Sequence, residues 1–406
     1  MNLTKTFGRG NVSLPLFSII AISIVSIVFG QEPAIIYILF IAGSLIFGYA
    51  LNVYNNHPKT CLLLTLLLVT YLTIFIGLRD FGVGTDTMVY VDMYWDWGNY
   101  VHSIRDFSNF DYVSNAFLLL SVIGHIISND HQILLFLTAL TINLSTFIAL
   151  YIANYKELRI NWIIYIFIWQ FLFMNTSMNA MRQDCAQGFA LLSVVLFFKR
   201  KWIYALICFF IAYEFHSTVL ILLPIVGCYY LDMFCGPKKR NVYTIIGLLF
   251  LVAVMFSIFK YLDWFISNGY INDHFDTYTD NSHFEGGNLF GVSYIAMTVL
   301  YIYVCVYLRK RNLISDSSNY LLITLYGLSF VLRLSAYSLV YVSRLSAYYN
   351  YISFFALAFL LTRFSKKIPL LIQSMLYIII LYTWFVGPIL VGTDETYPYH
   401  SVILGI

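Results

Sequence analysis

Four arginines stand at positions in an apolar sequence where a guanidinium group is costly. Arg79 opens the segment Arg-Asp-Phe-Gly-Val-Gly-Thr-Asp-Thr at 79–87, and Arg182 precedes an apolar run. Arg333 and Arg344 each begin a copy of Arg-Leu-Ser-Ala-Tyr, eleven residues apart. An arginine in or near a bilayer needs a partner or a function, and its forked donors match the oxygens of phosphate. These residues therefore indicate a site for a phosphate-bearing ligand.

Arg79 and Arg182 also fit structural roles. Gly82 and Gly84 allow a tight turn that would bring Asp86 to Arg79, so that an Arg–Asp pair braces the loop. Arg182 could extend along an interface, or add its charge to a helix N-terminus, where backbone N–H groups and the helix dipole favour an anion. The sequence leaves these alternatives open.

The other candidates are a second arginine pair and two possible bases. In a continuous helix Arg333 and Arg344 would share one face, about 16 Å apart along the axis, whereas a salt bridge to a neighbouring helix is the alternative role of Arg333. His216 follows Phe215 in an apolar stretch. Its ordinary pKa range suits a proton acceptor, and packing beside aromatic rings is its alternative role. Asp86 is the second candidate base.

No motif in the sequence is typical of a metal or cofactor site. The eight histidines are scattered, with no HExxH motif and no Cys/His cluster. There is no P-loop, dinucleotide fingerprint or GxSxG motif. The six cysteines form no CxxC pair and suit small buried positions. We therefore expect no metal and no cofactor.

The elements that must position these residues are apolar helices. The chain has 406 residues, of which 60% are hydrophobic and 11% are charged, against about a quarter charged in soluble domains. Runs of about 20 apolar residues can cross a bilayer, and lipid requires them to be helical. We predict an all-α polytopic membrane protein, one multi-span domain over 1–406, with about 13 transmembrane helices (about 11–14). The predicted spans are about 13–30, 33–53, 60–78, 132–153, 160–176, 183–198, 202–213, 216–231, 242–264, 289–308, 319–341, 343–361 and 368–391.

Basic loops favour the cytoplasmic side and so predict the orientation. Placing them all inside requires that 112–128 lies at the outer interface or re-enters, and that 202–231 is a hairpin turning outside near 214–217. The N-terminus is then inside and the C-terminus outside. Two acidic segments face the periplasm, a loop over 79–131 that includes the interfacial or re-entrant helix and a loop over 267–288. The clear basic clusters are Lys199-Arg200-Lys201, Lys238-Lys239-Arg240, Arg309-Lys310-Arg311, and Arg363 with Lys366 and Lys367.

Four motifs occur in an order that resembles a known family. They are Arg-Asp-(x)3-Gly-Thr-Asp-Thr-(x)2-Tyr at 79–90, Met-Arg-Gln at 181–183, Phe-His-Ser at 215–217, and Arg344 with Tyr348 and Tyr349. Each motif is weak alone, and their order and spacing are more specific. From about residue 70 to 360 the chain resembles the EpsG-type family of Wzy-like O-antigen and exopolysaccharide polymerases.

The resemblance implies a GT-C-like glycosyltransferase in the bacterial inner membrane. Such enzymes join oligosaccharide repeat units carried on undecaprenyl pyrophosphate, at the periplasmic face and without a nucleotide sugar. Long-chain O-antigen is the first interpretation of the product. The implied partners are the lipid-linked oligosaccharide, membrane lipid and a chain-length regulator protein, with no nucleic acid. The resemblance implies catalytic roles for Arg182, Arg344, His216 and Asp86, and pyrophosphate or sugar binding by Arg79, Arg333, Tyr90 and Tyr348.

Three other functions use similar residue types. A flippase for the same lipid-linked sugars would also need arginines, but should have two related halves and polar residues through the membrane depth, and the sequence has neither. An O-antigen ligase would perform nearly the same chemistry on a different acceptor. A membrane acyltransferase would need a catalytic histidine motif, for which the sequence offers no match.

Overall fold

The computed structural model describes residues 13–28, 30, 34–109, 114–155, 158–260, 292–335 and 340–405. Within these residues the chain is helical and has no strand, so the predicted all-α class is confirmed. The predicted outer loop 267–288 lies outside the described residues. The longer helices are α1 (Ser13–Val28), α2 (Ala34–Val53), α3 (Pro58–Gly77), α4 (Asn115–Ile127), α5 (Gln132–Asn154), α6 (Trp162–Leu172), α7 (Met181–Phe198), α8 (Trp202–Phe215), α9 (Leu223–Phe234), α10 (Pro237–Lys260), α11 (Val292–Lys310), α12 (Asp316–Ser335), α13 (Val340–Arg363) and α14 (Leu370–Trp384).

Six helical stretches of the described chain are long and apolar enough to cross a membrane. This agrees with the prediction of a helical membrane protein. The number of about 13 crossings stays a prediction, as does the GT-C-like fold. The six stretches are Ala34–Val53, Pro58–Gly77, Gln132–Asn154, Ser217–Phe234, Arg344–Arg363 and Leu370–Val391.

The chain divides into two compact units. Unit 1 comprises residues 1–219 and 357–406, and unit 2 comprises residues 220–356. Unit 1 therefore contains α1 to α8 and α14, whereas α9 to α12 belong to unit 2. The predicted site residues are distributed over both units.

Helix α6 is the most buried element of unit 1. Every side chain from Trp162 to Phe171 is buried. A helix that is apolar on all sides is typically surrounded by other helices. Asn161 caps its start, since its side-chain oxygen accepts from the N–H groups of Ile163 at 3.0 Å and Ile164 at 3.3 Å. Helices α2 and α14 pack against α6, so that it forms part of the centre of this unit.

Helices α3, α5, α7 and α8 pack side by side in that order. Close approach of α5 and α7 depends on Gly188, where a Cβ would lie 2.1 Å from Ser145 Oγ. Small residues allow such contacts between helices in lipid. Ser193 Oγ of α7 donates to the Ala205 carbonyl of α8 at 2.8 Å. Both residues lie within two helical turns of the short turn that connects the two helices. Helices α7 and α8 are thus antiparallel, and the start of α7 lies level with the end of α8.

Several helix ends of unit 1 meet at one side, which we call the polar end. Gln132 Nε2, at the start of α5, donates to the carbonyls of Gly77 at 2.7 Å and Arg79 at 3.0 Å, just after α3. Arg79 in turn donates to the Met178 carbonyl at 2.9 Å, just before α7. The polar end therefore contains the end of α3, the starts of α5 and α7, and the end of α8.

Helix α4 has both of its ends at the polar end. At its start, Ser114 Oγ donates to the Glu214 carbonyl at 2.8 Å, at the end of α8. At its other end a short turn leads directly to Gln132 and α5. A helix of this length measures about 20 Å, less than the hydrocarbon thickness. The contacts place α4 across the helix ends, and its position relative to a membrane stays a prediction.

In unit 2 an ion-pair network joins four helices at one end. Arg240 of α10 contacts Asp232 of α9 at 2.5 Å and Asp316 of α12 at 2.8 Å. Arg309 of α11 contacts the same Asp316 at 3.2 Å. Hydrogen bonds from Arg240 and Arg309 lower the pKa of Asp316. Two basic clusters predicted to face the cytoplasm, at 238–240 and 309–311, are thus at the same end of this unit.

Candidate functional site

The loop at 79–87 is built around the buried side chain of Arg79. Its guanidinium donates to the carbonyls of Ile76 at 2.6 Å, Val83 at 3.2 Å and Met178 at 2.9 Å. It also reaches Thr87 Oγ1 at 3.4 Å. Arg79 is only 1% exposed. Burial lowers its pKa to about 10, so the group remains charged near neutral pH.

These contacts make Arg79 a brace for its own loop, one of the two roles that the sequence allowed. The expected partner, however, was Asp86, and no ion pair joins the two among the described residues. The guanidinium binds main-chain carbonyls, because the tight turn presents the Val83 carbonyl to it. Its role in binding pyrophosphate stays a prediction.

Asn179 connects the loop to the turn before α7. Its Oδ1 accepts from Thr85 Oγ1 at 3.0 Å and from the Asp86 N–H at 2.8 Å. Its Nδ2 donates to Asp394 Oδ1 at 3.1 Å. One side chain thus joins the loop, the turn and a residue from the far end of the chain.

The C-terminal segment, residues 392–405, lies across the same loop. The Gly84 N–H donates to the Glu395 carbonyl at 2.9 Å, and the Thr85 N–H donates to the Asp394 carbonyl at 3.1 Å. Farther along, the Asp80 N–H donates to the His400 carbonyl at 2.9 Å. Asp394 and Glu395 both adopt positive φ angles, of 66° and 48°. This costly backbone conformation is offset by the hydrogen bonds that the segment makes with the loop.

Arg182 is held by two tyrosines at the start of α7. Its Nη1 donates to Tyr94 Oη at 2.5 Å, and its guanidinium carbon lies 5.4 Å from the ring of Tyr90 and 5.3 Å from that of Tyr94. Burial raises the pKa of Tyr94, and the charge of Arg182 opposes that rise. The tyrosine hydroxyl is therefore neutral near pH 7. Because α7 begins here, the guanidinium adds its charge to the positive end of a helix dipole.

His216 ends α8 at the polar end. Its N–H donates to the Ala212 carbonyl at 2.9 Å, and its Nδ1 lies 2.6 Å from Thr218 Oγ1. The preceding Phe215 stacks on Phe189 of α7, with ring centroids 5.9 Å apart. The antiparallel pairing of α7 and α8 thus places His216 at the same end as Arg182.

The remaining predicted residues lie in unit 2. Arg333 is in the last turn of α12, with its guanidinium carbon 4.7 Å from the ring of Tyr294. Arg344 is exposed in the second turn of α13, and Tyr348, one turn later, is buried. The described part of α12 ends at Ser335 and that of α13 begins at Val340. Residues 336–339 lie outside the described residues, so the shared face of the two arginines stays a prediction.

The structure thus brings together the predicted residues Arg79, Asp86, Tyr90, Arg182 and His216 at the polar end of unit 1. It adds three residues that the sequence analysis did not assign to the site, Asn179, Asp184 and Asp394. Asn179 and Asp184 flank Arg182 in the sequence, and this proximity was a usable signal. For Asp394 the sequence offered no such signal, apart from the prediction that the C-terminus lies outside. Among the described residues, no three His, Cys, Asp or Glu side chains are arranged to hold a metal ion.

Gly84 should be intolerant of any side chain. It has a φ of +99°, and a Cβ would lie 2.5 Å from the Met178 carbonyl oxygen and 2.7 Å from Thr87 Oγ1. We expect Gly84→Ala to lower the free energy of unfolding by about 2–4 kcal/mol, measured by thermal unfolding in detergent. Gly82→Ala is the matched control, since a Cβ there meets nothing within 4 Å. Equal effects of the two variants would contradict the described loop conformation.

Comparisons with known proteins identify the family. The model of the EpsG family matches residues 62–401, from within α3 to the C-terminal segment. No curated protein matches the chain. No solved structure matches it either. The family match covers the Arg79 loop, both helices of the α7–α8 pair and the segment that carries Asp394. The family suggests a membrane protein of polysaccharide-polymerase type, and the apolar helices agree with a membrane protein. The chain therefore belongs to the EpsG family.

Proposed function

We propose that this protein is a polysaccharide polymerase, a glycosyltransferase that joins lipid-linked oligosaccharide repeat units. The donor is a growing chain on undecaprenyl pyrophosphate, and the acceptor is the next lipid-linked unit. The reaction takes place at the periplasmic face of the bacterial inner membrane, with O-antigen as the expected product. Family membership supports the reaction class, and the observation that carries the proposal is the placement of Arg182.

Arg182 has the properties that a pyrophosphate site requires. It lies at the start of α7, where the helix dipole favours an anion, and Tyr94 fixes the orientation of its guanidinium. A guanidinium fork matches two phosphate oxygens at once. The charge that develops on the leaving pyrophosphate would be stabilised by a group that is already oriented.

The reaction exchanges one bond to the anomeric carbon for another. The acceptor hydroxyl oxygen forms a bond to the anomeric carbon of the donor sugar, and the bond from that carbon to the pyrophosphate oxygen breaks. The electron pair leaves with the pyrophosphate lipid, and the hydroxyl proton passes to a base. The sequence offers His216 and Asp86 as bases, and the family motif adds Arg344 as a second candidate for charge stabilisation.

Turnover of purified lipid-linked repeat units by the protein in liposomes tests this proposal. We expect wild-type protein to produce a ladder of lipid-linked oligomers, and Arg344→Lys and His216→Ala to shorten or abolish it at equal protein levels. Arg344 is tested by a variant of its own because it belongs to unit 2, whereas Arg182 and His216 belong to unit 1. Transfer of finished polymer to lipid A core, with no ladder, would indicate a ligase instead. Movement of the lipid-linked unit across the bilayer without new glycosidic bonds would indicate a flippase.

A further inference from the structure

The loop at 79–87 is held by two separate sets of contacts. Arg79 binds main-chain carbonyls on either side of its base. Residues 84–86, which we call the loop tip, are held instead by the side chain of Asn179 and by the main chain of the C-terminal segment. The first set maintains the conformation of the loop. The second set decides where the loop tip lies relative to the start of α7.

The contacts of Asn179 require a side chain that both accepts and donates. Its Oδ1 accepts from the Asp86 N–H at 2.8 Å, and its Nδ2 donates to Asp394 Oδ1 at 3.1 Å. A main-chain N–H can only donate and an ionised carboxylate can only accept, so an amide suits both partners at once. Asn179 is 8% exposed, and water therefore has little access to replace either bond.

The loop tip and the residues that follow it meet the start of α7 at two points. The first is the bond between Asp86 and Asn179, just before α7 begins. The second lies one helical turn later, where the ring of Tyr90 is 5.4 Å from the guanidinium carbon of Arg182. The Tyr90 N–H donates to the Asp86 carbonyl at 3.1 Å, which closes that turn. These contacts bring Asp86 to the end of α7 that carries the arginine proposed to bind pyrophosphate.

The side chain of Asp86 is available for chemistry. Within the described residues its hydrogen bonds are made by its main-chain N–H and carbonyl, and its carboxylate does not cap the short helix Thr87–Tyr90 that follows. Asp86 is half-buried, so a ligand can reach it. A carboxylate whose main chain is fixed and whose oxygens are accessible can accept a proton from a bound hydroxyl.

We propose that Asn179, bonded to Asp394, is a positioning residue that places Asp86 to act as the base of the polymerisation reaction. The assignment rests on the proposed function. The Asp86 carboxylate takes the proton of the acceptor hydroxyl as that oxygen bonds to the anomeric carbon, and the pyrophosphate lipid leaves with the electron pair of the broken bond. Asp86 then releases the proton to water, so no other reactant is needed. Asp394 serves as the anchor of Asn179.

Exchanging the two side chains of the Asn179–Asp394 pair tests the positioning role. Asn179→Asp removes the donor and places one carboxylate against another, so the loop tip should shift. We expect kcat for lipid-linked repeat units to fall by about 10²-fold, with KM changed less than about twofold. Asp394→Asn alone keeps an oxygen that can accept from Asn179, and it should retain kcat within about fivefold.

The double variant, Asn179→Asp with Asp394→Asn, reverses the direction of one hydrogen bond and keeps every contact. The amide then donates from position 394, and the carboxylate at position 179 still accepts from the Asp86 N–H. Asparagine and aspartate both tolerate the positive φ of 66° at position 394. We therefore expect kcat to return to within about fivefold of the wild-type value. No recovery, or a large loss in Asp394→Asn alone, would overturn the positioning role.

Asn179→Asp with Glu395→Gln is the matched control. It has the same net charge as the exchanged pair, but it alters the adjacent carboxylate, which is exposed and binds the loop through its main-chain carbonyl. This variant should remain as slow as Asn179→Asp alone. Equal recovery in both double variants would show that net charge, and not the bond, restores turnover, and would overturn the inference.

Asp86→Asn tests the base independently of the loop tip. Because the hydrogen bonds of Asp86 come from its main chain, the amount of folded protein should be unchanged, and kcat should fall by about 10²-fold or more. Wild-type kcat in Asp86→Asn would overturn the inference, even if Asn179→Asp failed to fold. If the wild-type protein forms no oligomers, the proposed function itself fails. Active wild-type protein without recovery in the exchanged pair removes this inference alone.

Discussion

Replacing Arg182 by lysine should lower kcat/KM for lipid-linked repeat units by about 10²-fold while leaving the amount of folded protein unchanged. A lysine retains the positive charge but presents a single ammonium group in place of the planar fork. It cannot both bond to Tyr94 as Arg182 does, at 2.5 Å, and contact two phosphate oxygens of a ligand. The measurement is initial-rate kinetics of oligomer formation in liposomes, normalised to protein content.

Arg311→Lys provides the matched control. The guanidinium carbon of Arg311 lies 5.3 Å from the ring of Tyr307, close to the distance between Arg182 and its tyrosines. Arg311 belongs to a basic cluster predicted to face the cytoplasm, away from the proposed reaction. Its replacement should leave turnover unchanged. Equal losses in both variants would show that an arginine stacked on tyrosine matters for folding alone, and would remove Arg182 from the site.

Replacing Arg79 by methionine should lower the amount of folded protein, whereas Arg182→Lys should lower turnover and leave the amount of folded protein unchanged. The variant fills a similar volume but removes the Arg79 donors from the carbonyls of Ile76, Val83 and Met178. The single hydroxyl of Thr87 is then the donor shared by the last two carbonyls. Unsatisfied buried carbonyls cost about 1–3 kcal/mol each, and some reach water after relaxation. We expect the free energy of unfolding to fall by about 3–5 kcal/mol, measured by thermal unfolding in detergent.

Arg105→Met is the control for this second prediction, because Arg105 is exposed in a short 3-10 helix, Ile104–Asn109, of the same unit. Surface substitutions usually change stability by less than about 0.5 kcal/mol. The residual Arg79→Met protein that does fold should retain turnover per molecule within about tenfold. Normal stability together with complete loss of turnover would show instead that Arg79 meets the substrate.

The two arginines had the same appearance in the sequence. Each stands at one end of an apolar run, within two residues of an acidic residue, and both were predicted to serve a phosphate-bearing ligand. Their different partners come from distant segments. Arg79 reaches the Met178 carbonyl, and Arg182 reaches Tyr94. No local pattern specifies such partners, because they depend on how α3 and α7 pack.

The sequence by itself determined the class of the protein and the position of its helices. Apolar runs of about 20 residues must form helices, since lipid offers no partner for free backbone groups, and this is a property of each run alone. The motif order also determined the family. It did not determine that the C-terminal segment lies on the Arg79 loop, or that Asn179 binds Asp394.

Those relations were decided by the tertiary structure. The segment is held by main-chain bonds to Gly84 and Thr85 and by Asn179, and main-chain donors carry no signal of their partner in the sequence. The order in which α3, α5, α7 and α8 pack decides that Arg79 binds main-chain carbonyls and that Arg182 binds a tyrosine. Residue type sets the chemistry that is available, and packing selects the residues that can carry it out.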